Sequence, residues 1–180
     1  MQDEESLVRR AQQKDQRAFT ELYEAYFDKI YRYVTIKIGD RTEAEDMTQQ
    51  VFLKALESIS SFKWKGVPFS AWLYRIAHNQ VIDYYRRQKK RPDTLKDDAV
   101  VVSDSNPQQV AERSLDIEQV MSATRKLTDS QREVISLRFS GGLSTSEVAN
   151  IMGKSQGAIK ALQHSAIVAL RKALLVETNE

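Results

Sequence analysis

The chain has 180 residues, no cysteine, two histidines and a formal net charge of +2. This length suits one medium domain or two small ones, and the lack of cysteine excludes disulfides and thiolate zinc sites. No apolar run reaches the roughly 18 residues of a membrane span, and the first residues lack the apolar segment of a signal peptide. We therefore expect a cytoplasmic protein with no membrane insertion, no metal and no cofactor.

Charged and aromatic residues divide the chain into unlike segments. Residues 62–92 carry eight basic side chains and one acidic one, whereas residues 93–112 carry one basic and five acidic ones. All aromatic residues except Phe139 lie before residue 86. Because residues 93–112 also lack sustained hydrophobic periodicity, they are predicted to form a flexible acidic linker. This linker separates a domain over residues 1–92 from a second domain over residues 113–180.

Apolar residues in the first domain recur at three- and four-residue spacing, which predicts helices and no strand. One long helix is expected from Phe19 to Val34, with its end at Gly39. Thr42 and Glu45 have the spacing of a capping box for a second helix, whose predicted inner face is Met47, Val51, Ala55, Leu56 and Ile59. Ser70 is expected to cap a third helix that ends in a basic run, Arg86, Arg87, Lys89, Lys90 and Arg91.

The second domain is predicted to contain a helix-turn-helix. Its first helix is marked by Ile117, Val120, Met121 and Thr124, and its second by Val134, Ile135 and Phe139. After the break at Gly141 and Gly142, Ser144 and Glu147 have capping-box spacing, and Gly153 suits the left-handed end of a helix. Ser155 is expected to cap the last helix. A short helix, a tight turn and a longer helix are typical of this DNA-binding motif.

The last helix holds the residues that we expect to contact duplex DNA. Its apolar residues Ile159, Leu162, Ala166 and Leu170 share one side, and the polar candidates for DNA contact are Ser155, Gln156, Lys160, Gln163 and His164. Lysine donates to guanine and to phosphate, and glutamine pairs with adenine. An ordinary helical hairpin is the alternative interpretation.

A second nucleic-acid signal lies between Phe62 and Arg91, where aromatic rings and cations alternate. This pattern suits single-stranded nucleic acid, whose bases stack on rings while cations follow the phosphates. Alternatively, the rings form core and the basic run only closes a helix. The sequence shows no glycine-rich phosphate loop, no serine in a nucleophile elbow and no pair of carboxylates within a catalytic motif, so we do not expect an enzyme.

Three ordered segments resemble the extracytoplasmic function (ECF) group of bacterial sigma-70 factors. EAEDMTQQVFLKAL is similar to the core-polymerase-binding helix of that family. SFKWKGVPFSAWLYRIAHNQVIDYYRRQKK resembles its promoter-melting and minus-10-reading segment, and LTDSQREVISLRFSGGLSTSEVANIMGKSQGAIKALQHSA its minus-35-reading domain. The resemblance implies an all-α fold of two small helical domains joined by the acidic linker, the second domain being a helix-turn-helix.

Position by position, the resemblance implies three groups of site residues. The resemblance assigns the binding of core polymerase to Asp46, Gln49, Gln50 and Phe52. The resemblance places Trp72, Arg75 and Asn79 near the melted minus-10 strand, and Tyr84, Arg86 and Arg87 at the duplex edge. The alternation of aromatic rings and cations adds Phe62, Lys63, Trp64 and Lys65 to the single-strand group. For the minus-35 duplex, the resemblance places Lys160, Ala161 and Ser165 at reading positions, and these join the candidates named above for the last helix, Ser155, Gln156, Gln163 and His164.

The resemblance also implies partners, and two positions of this chain differ from the family pattern. The partners are core RNA polymerase (its clamp and flap), promoter DNA and an anti-sigma factor. Ser165 stands where many relatives carry arginine, and Thr128 where many carry proline.

About 20 linker residues can extend over about 60 to 70 Å, which is close to the length of about 20 base pairs of duplex. A conventional helix-turn-helix repressor or activator, usually dimeric, and a nucleic-acid-processing enzyme are the rival functions.

Overall fold

The computed structural model describes residues 3–90 and 122–177, and every regular element in these ranges is helical. The N-terminal domain consists of α1 (Glu4–Gln12), α2 (Gln16–Ile38), α3 (Arg41–Ser58), a 3₁₀ turn (Ile59–Ser61) and α4 (Phe69–Lys89). The C-terminal domain contains a helical segment at residues 122–125, α5 (Asp129–Ile135), a π-helical turn (Ser136–Ser140), α6 (Thr145–Met152) and α7 (Gln156–Glu177). The predicted all-α fold is therefore confirmed. The predicted linker, Arg91 and the apolar residues Ile117, Val120 and Met121 lie outside the described residues.

Glycine and capping residues set the ends of the N-terminal helices. Gly39 closes α2 in the left-handed conformation with φ of 80°, as predicted. The capping box at Thr42 is wrong: the Asp40 carboxylate caps α3 by accepting from the Glu43 amide at 3.0 Å. Ser70 does not cap α4 either, because that helix begins at Phe69 directly after the extended residue Pro68.

The N-terminal core is aromatic and lies where α2, α3 and α4 meet. Tyr33, Phe69 and Tyr74 are fully buried, and the Tyr33 and Tyr74 rings pack edge to face with centroids 5.5 Å apart. The sequence analysis did not predict α1, which adds Val8 and Ala11 to this core. No helix within residues 3–90 or 122–177 combines the length and apolar character of a membrane span.

The predicted inner face of α3 is wrong at one residue. Leu56 is 49% exposed, whereas Phe52 is buried against Tyr23 and Phe27 of α2. These two α2 rings turn the Phe52 side of α3 inward, so Leu56 falls on the solvent side of the helix. The aromatic content of α2 thus decides which side of α3 faces the core.

Side-chain caps define the helices of the C-terminal domain. Ser144 and Glu147 form the predicted capping box at α6, and Gly153 closes that helix in the left-handed conformation with φ of 63°. Thr128 and Gln131 form a second capping box, which begins α5. Of the three apolar residues that marked this helix in the sequence, Val134 and Ile135 are buried, whereas Phe139 lies in the π-helical turn and is 65% exposed.

The two domains pack against each other. Val134, Leu137, Leu143 and Val148 belong to the same continuous apolar cluster as the core of the N-terminal domain. A separate small cluster of Leu127, Ile135 and Ala166 lies inside the C-terminal domain. Much of the apolar surface of α5 and α6 is therefore buried by the neighbouring domain and not only within their own.

Candidate interfaces for protein and nucleic acid

One side of α3 forms an exposed surface of mixed polarity. Asp46, Gln49 and Gln50 are exposed, as the predicted binding role requires. Leu53 and Leu56 extend the same side and are 58% and 49% exposed. The sequence analysis missed both leucines. Leu53 follows Gln50 by three residues and Leu56 follows Leu53 by three, which places them on one side of a helix. We call Asp46, Gln49, Gln50, Leu53 and Leu56 the α3 surface.

Phe52 does not belong to the α3 surface. Its ring packs against Tyr23 at a centroid distance of 4.8 Å and is buried between α2 and α3. A contact between Phe52 and another protein would require α3 to separate from α2. Phe52 instead supports α3 from below, and the predicted binding role falls on its exposed neighbours.

The loop between Phe62 and Phe69 rests on a cluster of four aromatic rings. Phe62 lies at its centre, with centroid distances of 5.4 Å to Trp64, 5.9 Å to Phe69 and 5.2 Å to Trp72. Because Phe62 is only 6% exposed, it supports the loop and does not offer a ring face to a nucleobase. Trp64 and Trp72 are half-buried and keep part of their surface in solvent.

The tip of this loop is cationic and exposed. Lys63, Lys65 and Val67 face solvent, and Gly66 allows the turn with φ of 72°. Beneath the tip, the indole Nε1–H of Trp64 is buried and has no hydrogen-bond partner among the described residues. A donor that is buried without a partner costs about 1 to 3 kcal/mol.

One exposed side of α4 continues from this loop. Arg75, Asn79 and Arg86 are exposed and lie at spacings of four and seven residues, which places them on one helical face together with the edge of Trp72. Arg86 Nη1 lies 3.4 Å from Asp83 Oδ1. We call Lys63, Lys65, Trp72, Arg75, Asn79 and Arg86 the α4 surface. It combines the edge of one indole ring, one amide and four cations along one side of the domain.

Tyr84 and Arg87 lie on a different side of α4, towards α3. They line a shallow depression together with Asp46 and Gln50 of the α3 surface. The Arg87 Nε donates to the Asp83 carbonyl at 3.3 Å, and the Tyr84 ring packs against Tyr85 at 5.6 Å. The structure therefore places these two predicted duplex contacts beside the predicted protein-binding surface, separate from Arg75 and Asn79.

The helix α7 presents a polar face at its N-terminal end. Ser155 caps the helix by accepting from the Ala158 amide at 3.1 Å. Gln156, Lys160 and His164 are exposed at four-residue spacing, and Ala161 lies beside them. This arrangement suits the major groove, which admits one α-helix whose first turns face the bases.

Gln163 and Ser165 differ from the other predicted DNA contacts because they bind other parts of the C-terminal domain. Gln163 Oε1 accepts from Arg138 Nε at 3.1 Å, and Arg138 also donates to the Leu143 carbonyl. Ser165 Oγ accepts from the side-chain Nε2 of Gln131 at 3.1 Å. Both residues hold α7 against the preceding helices, so they position the residues that are predicted to face DNA.

A buried ionic group lies between the two domains. The Glu133 carboxylate on α5 accepts from Tyr33 Oη at 2.6 Å, lies 2.5 Å from Lys37 Nζ and 2.9 Å from His78 Nδ1. Tyr33 and Lys37 belong to α2, and His78 belongs to α4. We call these four residues the Glu133 clasp. Within the described ranges, no three His, Cys, Asp or Glu side chains are grouped as metal ligands.

The Glu133 clasp keeps its carboxylate ionised. Burial opposes the charge, but the hydrogen bond from His78 and the charge of Lys37 outweigh it and lower the pKa of Glu133 to about 2. Burial and the neighbouring carboxylate raise the pKa of Tyr33 well above its usual value, so this hydroxyl stays protonated and donates. Arg86, Lys89 and Asp129 line the adjacent cleft.

The stabilisation by Glu133 is expected to depend on acid pH. Because its pKa is lower in the folded protein than the ordinary value of 4.5, its contribution is present above pH 4.5 and is lost as pH falls towards 2. The contribution is on the order of 3 kcal/mol. We expect the unfolding free energy of the wild type to exceed that of Glu133→Gln at pH 6, and the difference to shrink below pH 4.5. A difference independent of pH in urea unfolding would contradict this.

Comparisons with known proteins agree with the two domains. Residues 22–91 match the family model for Sigma-70 region 2, and residues 124–172 match that for Sigma-70, region 4. The chain is 38% identical over 170 residues to the ECF RNA polymerase sigma factor BldN of Streptomyces coelicolor, covering 93% of this chain and 64% of BldN. It is 35% identical over 179 residues to the ECF RNA polymerase sigma factor SigW of Bacillus subtilis, covering 93% of this chain and 94% of SigW.

Two solved structures share the fold. CnrH, in complex with the cytosolic domain of CnrY, superposes with a TM-score of 0.72 at 26% identity, covering 97% of each chain. The sigma factor RpoE of Bartonella quintana, in complex with the anti-sigma factor NepR, superposes with a TM-score of 0.69 at 28% identity, covering 88% of this chain and 97% of RpoE. Both superpositions span the two domains.

Proposed function

This chain belongs to the ECF group of the sigma-70 family, and from that membership we propose that it is the dissociable subunit that directs core RNA polymerase to a set of promoters and stabilises their melting. The family consists of transcription factors and not of enzymes. The observation that carries the proposal is the α4 surface, where the edge of the Trp72 ring, the Asn79 amide and the cations of the helix and the preceding loop lie along one side. A protein binds a melted DNA strand by stacking rings on its bases, by contacting the base edges and by placing cations along its phosphates.

The α3 surface is the proposed contact with core polymerase. Leu53 and Leu56 supply apolar area, and the flanking Asp46, Gln49 and Gln50 supply a polar rim. An apolar centre with a polar rim is the usual anatomy of a protein interface. Because Phe52 and Met47 anchor the opposite side of α3 in the core, this surface is presented on a rigid element.

The α4 surface is the proposed contact with the minus-10 element. A base extruded from the duplex would lie at the loop between Lys63 and Val67, with Trp72 at its side and Asn79 donating to or accepting from its edge. Lys63, Lys65, Arg75 and Arg86 would follow the phosphates. The buried donor of Trp64 supports a loop that rearranges when the strand binds, since the present arrangement leaves this donor unsatisfied.

The polar face of α7 is the proposed contact with the minus-35 duplex. Gln156, Lys160 and His164 would face the major groove, while Gln163 and Ser165 fix the helix through Arg138 and Gln131. Ser165, which stands where many relatives carry arginine, has an internal partner in Gln131. Readout of bases therefore falls on Gln156, Lys160 and His164, within the first three turns of α7.

Replacing Lys160 by alanine is expected to weaken the salt dependence of DNA binding. One lost phosphate contact changes the slope of log K against log salt by about one. The slope is measured by fluorescence anisotropy of a labelled promoter duplex between low and moderate salt. Lys172→Ala, which removes an exposed cation about three turns further along α7, serves as the control and should leave the slope unchanged. An unchanged slope in Lys160→Ala would remove this residue from the interface.

An anti-sigma factor is the proposed regulatory partner, and the cytoplasm the proposed location. The RpoE chain that shares this fold was solved together with an anti-sigma factor. A protein that covers the α3 surface or the α4 surface would block polymerase or promoter binding. The present chain offers both surfaces on one domain, which makes such a block feasible for a single partner.

Run-off transcription tests the proposed function directly. Genomic promoter fragments are incubated with purified core polymerase, with and without the protein. Protein-dependent transcripts with defined starts are the expected result, and alignment of their upstream regions yields both promoter elements. DNA binding without transcription, by a species that light scattering shows to be a dimer, would favour a conventional repressor instead.

A further inference from the structure

The helix α1 contacts the segments on both sides of the loop between Phe62 and Phe69. It packs against the 3₁₀ turn that precedes this loop and against α4, which follows it. Val8 and Ala11 of α1 are buried in the N-terminal core. The match to Sigma-70 region 2 begins at residue 22, so the family comparison assigns no role to α1. Its position nevertheless brings it to the foot of the proposed strand-binding loop.

The Gln12 side chain joins α1 to the start of this loop. Its Nε2 donates to the Ile59 carbonyl at 3.0 Å and to the Phe62 carbonyl at 2.7 Å. A glutamine amide has two N–H donors, so each carbonyl can receive one hydrogen. Phe62 is also the residue at which the chain leaves the 3₁₀ turn and becomes extended. Gln12 therefore pairs the backbone at the point where the loop begins.

The turn after α1 fixes the position of Gln12. Lys14 adopts a left-handed conformation with φ of 67°, which is uncommon for a residue other than glycine. Its amide donates to the Ala11 carbonyl at 3.0 Å, and Arg10 Nε donates to the Asp15 carboxylate at 2.8 Å. Asp15 in turn caps α2. The end of α1 is thus held against the start of α2, so Gln12 extends from a well-fixed backbone.

The far end of the loop is held by aromatic packing. The Phe69 ring is fully buried and packs against Tyr26 of α2 with centroids 5.7 Å apart. Tyr26 Oη donates to the Glu4 carboxylate of α1. Burial and this carboxylate raise the pKa of Tyr26, so its hydroxyl stays protonated and donates. The far end is therefore fixed by buried rings, whereas the near end relies on hydrogen bonds that include those from Gln12.

Phe62 links the near end of the loop to the rings beside the proposed strand site. Its ring is 6% exposed, and its centroid lies 5.4 Å from that of Trp64 and 5.2 Å from that of Trp72. Because buried side chains are closely packed, a shift of the Phe62 backbone moves the neighbouring rings as well. Trp72 belongs to the α4 surface. The hydrogen bonds of Gln12 thus act on that surface through Phe62.

We propose that Gln12 is a positioning residue for promoter melting: its amide fixes Phe62, so that the start of the loop and the Trp72 ring keep their place when an extruded base binds. This inference rests on the proposed function, since it assumes that the loop and the α4 surface bind the melted strand. Gln12 acts without touching DNA. The geometry of the strand site then depends on α1, a helix that precedes the matched region.

Tryptophan fluorescence tests the structural link without DNA. The chain has two tryptophans, and both lie in the ring cluster around Phe62, so acrylamide quenching reports this cluster alone. Gln12→Met keeps a side chain of similar length but removes both donors, and its quenching constant is expected to exceed that of the wild type. Gln13→Met removes an exposed amide from the next residue and should quench like the wild type. A wild-type constant in Gln12→Met would overturn the proposal.

Promoter opening in the presence of core polymerase tests the role in melting. Gln12→Met is expected to open promoters about tenfold more slowly, since two hydrogen bonds of ordinary net strength correspond to about this factor. The affinity for core should stay at the wild-type value, because Gln12 lies outside the α3 surface. Opening is followed by 2-aminopurine fluorescence, and core affinity by anisotropy of the labelled protein. Equal losses of opening and of core affinity would overturn the proposal, because a general loss of folding produces both.

An abasic promoter separates positioning from a general effect on stability. The captured base is identified as the minus-10 base whose removal slows opening by the wild type most. If Gln12 acts through capture of this base, the substitution and the missing base remove the same interaction, so their effects should not add. Gln12→Met and the wild type are therefore expected to open the abasic promoter at nearly the same rate. A further tenfold loss in Gln12→Met on the abasic promoter would overturn the positioning role.

Failure of the proposed function would give a different pattern. If the wild type opens no promoter together with core, the proposed function and the role of Gln12 in melting both fail, while the quenching constants still show whether Gln12 fixes the ring cluster. If the wild type opens promoters and Gln12→Met opens them equally fast, the proposed function stands and the positioning role alone is overturned.

Discussion

Replacing Asn79 by alanine is expected to slow promoter opening by about 10- to 100-fold while leaving the affinity for core polymerase unchanged. Asn79 lies on the exposed side of α4 beside Arg75 and Trp72, where its amide can pair with the edge of an extruded base. A specific contact of this kind is worth about 1 to 3 kcal/mol, and each 1.4 kcal/mol is a factor of ten. Opening is followed by 2-aminopurine fluorescence at the minus-10 element, and core affinity by anisotropy of the labelled protein.

A matched control tests whether removing any exposed side-chain amide has the same effect. Gln16 is an exposed amide at the first position of α2, away from the α4 surface, and Gln16→Ala should open promoters at the wild-type rate. Equal losses of opening and of core binding in Asn79→Ala would contradict the role given to this residue. Because Asn79 is exposed, a loss of folding stability beyond about 0.5 kcal/mol is not expected.

Removing Leu53 and Leu56 together is expected to raise the dissociation constant for core polymerase by about 100-fold. Both side chains are about half exposed in the free protein, and burying each of them at an interface contributes about 1 to 2 kcal/mol. Their sum corresponds to about two powers of ten. The constant is measured for Leu53→Ala/Leu56→Ala by anisotropy titration with purified core.

Two controls test where this effect arises. Val168→Ala truncates an apolar side chain on α7 that is similarly exposed at 52%, and it should leave core affinity unchanged. The double leucine variant should also unfold at the wild-type urea concentration, because neither leucine belongs to the core. Wild-type affinity in the double variant would move the polymerase contact away from the α3 surface.

Local signals in the sequence were sufficient for most helices and for the DNA-binding motif. Gly39 and Gly153 take positive φ values that side chains disfavour, so they marked two helix ends correctly. The Ser144 capping box was also readable because both of its hydrogen bonds are local. The capping residue of α3 was misassigned because Asp40 and Thr42 are both good N-caps, and only the path of the chain after Gly39 selects between them.

Side-chain exposure depended on tertiary packing and was harder to predict. Phe62 and Phe52 belong to residue types that serve equally as core or as binding surface, and rings on α2 and α4 place both of them inside. Gln163 looked like a base-reading residue, but its partner is Arg138 in the π-helical turn. Glu133 gave no local signal, since its partner Tyr33 lies 100 residues away in the sequence.

A footprint of one promoter in the presence of core polymerase tests the central claim most directly. Hydroxyl-radical cleavage maps the protected backbone, and permanganate detects unstacked thymines on the same fragment. The account predicts two protected blocks about 20 base pairs apart, both dependent on this protein and on core, with reactive thymines in the downstream block alone. Protection of two symmetric half-sites without core, and without reactive thymines, would contradict it.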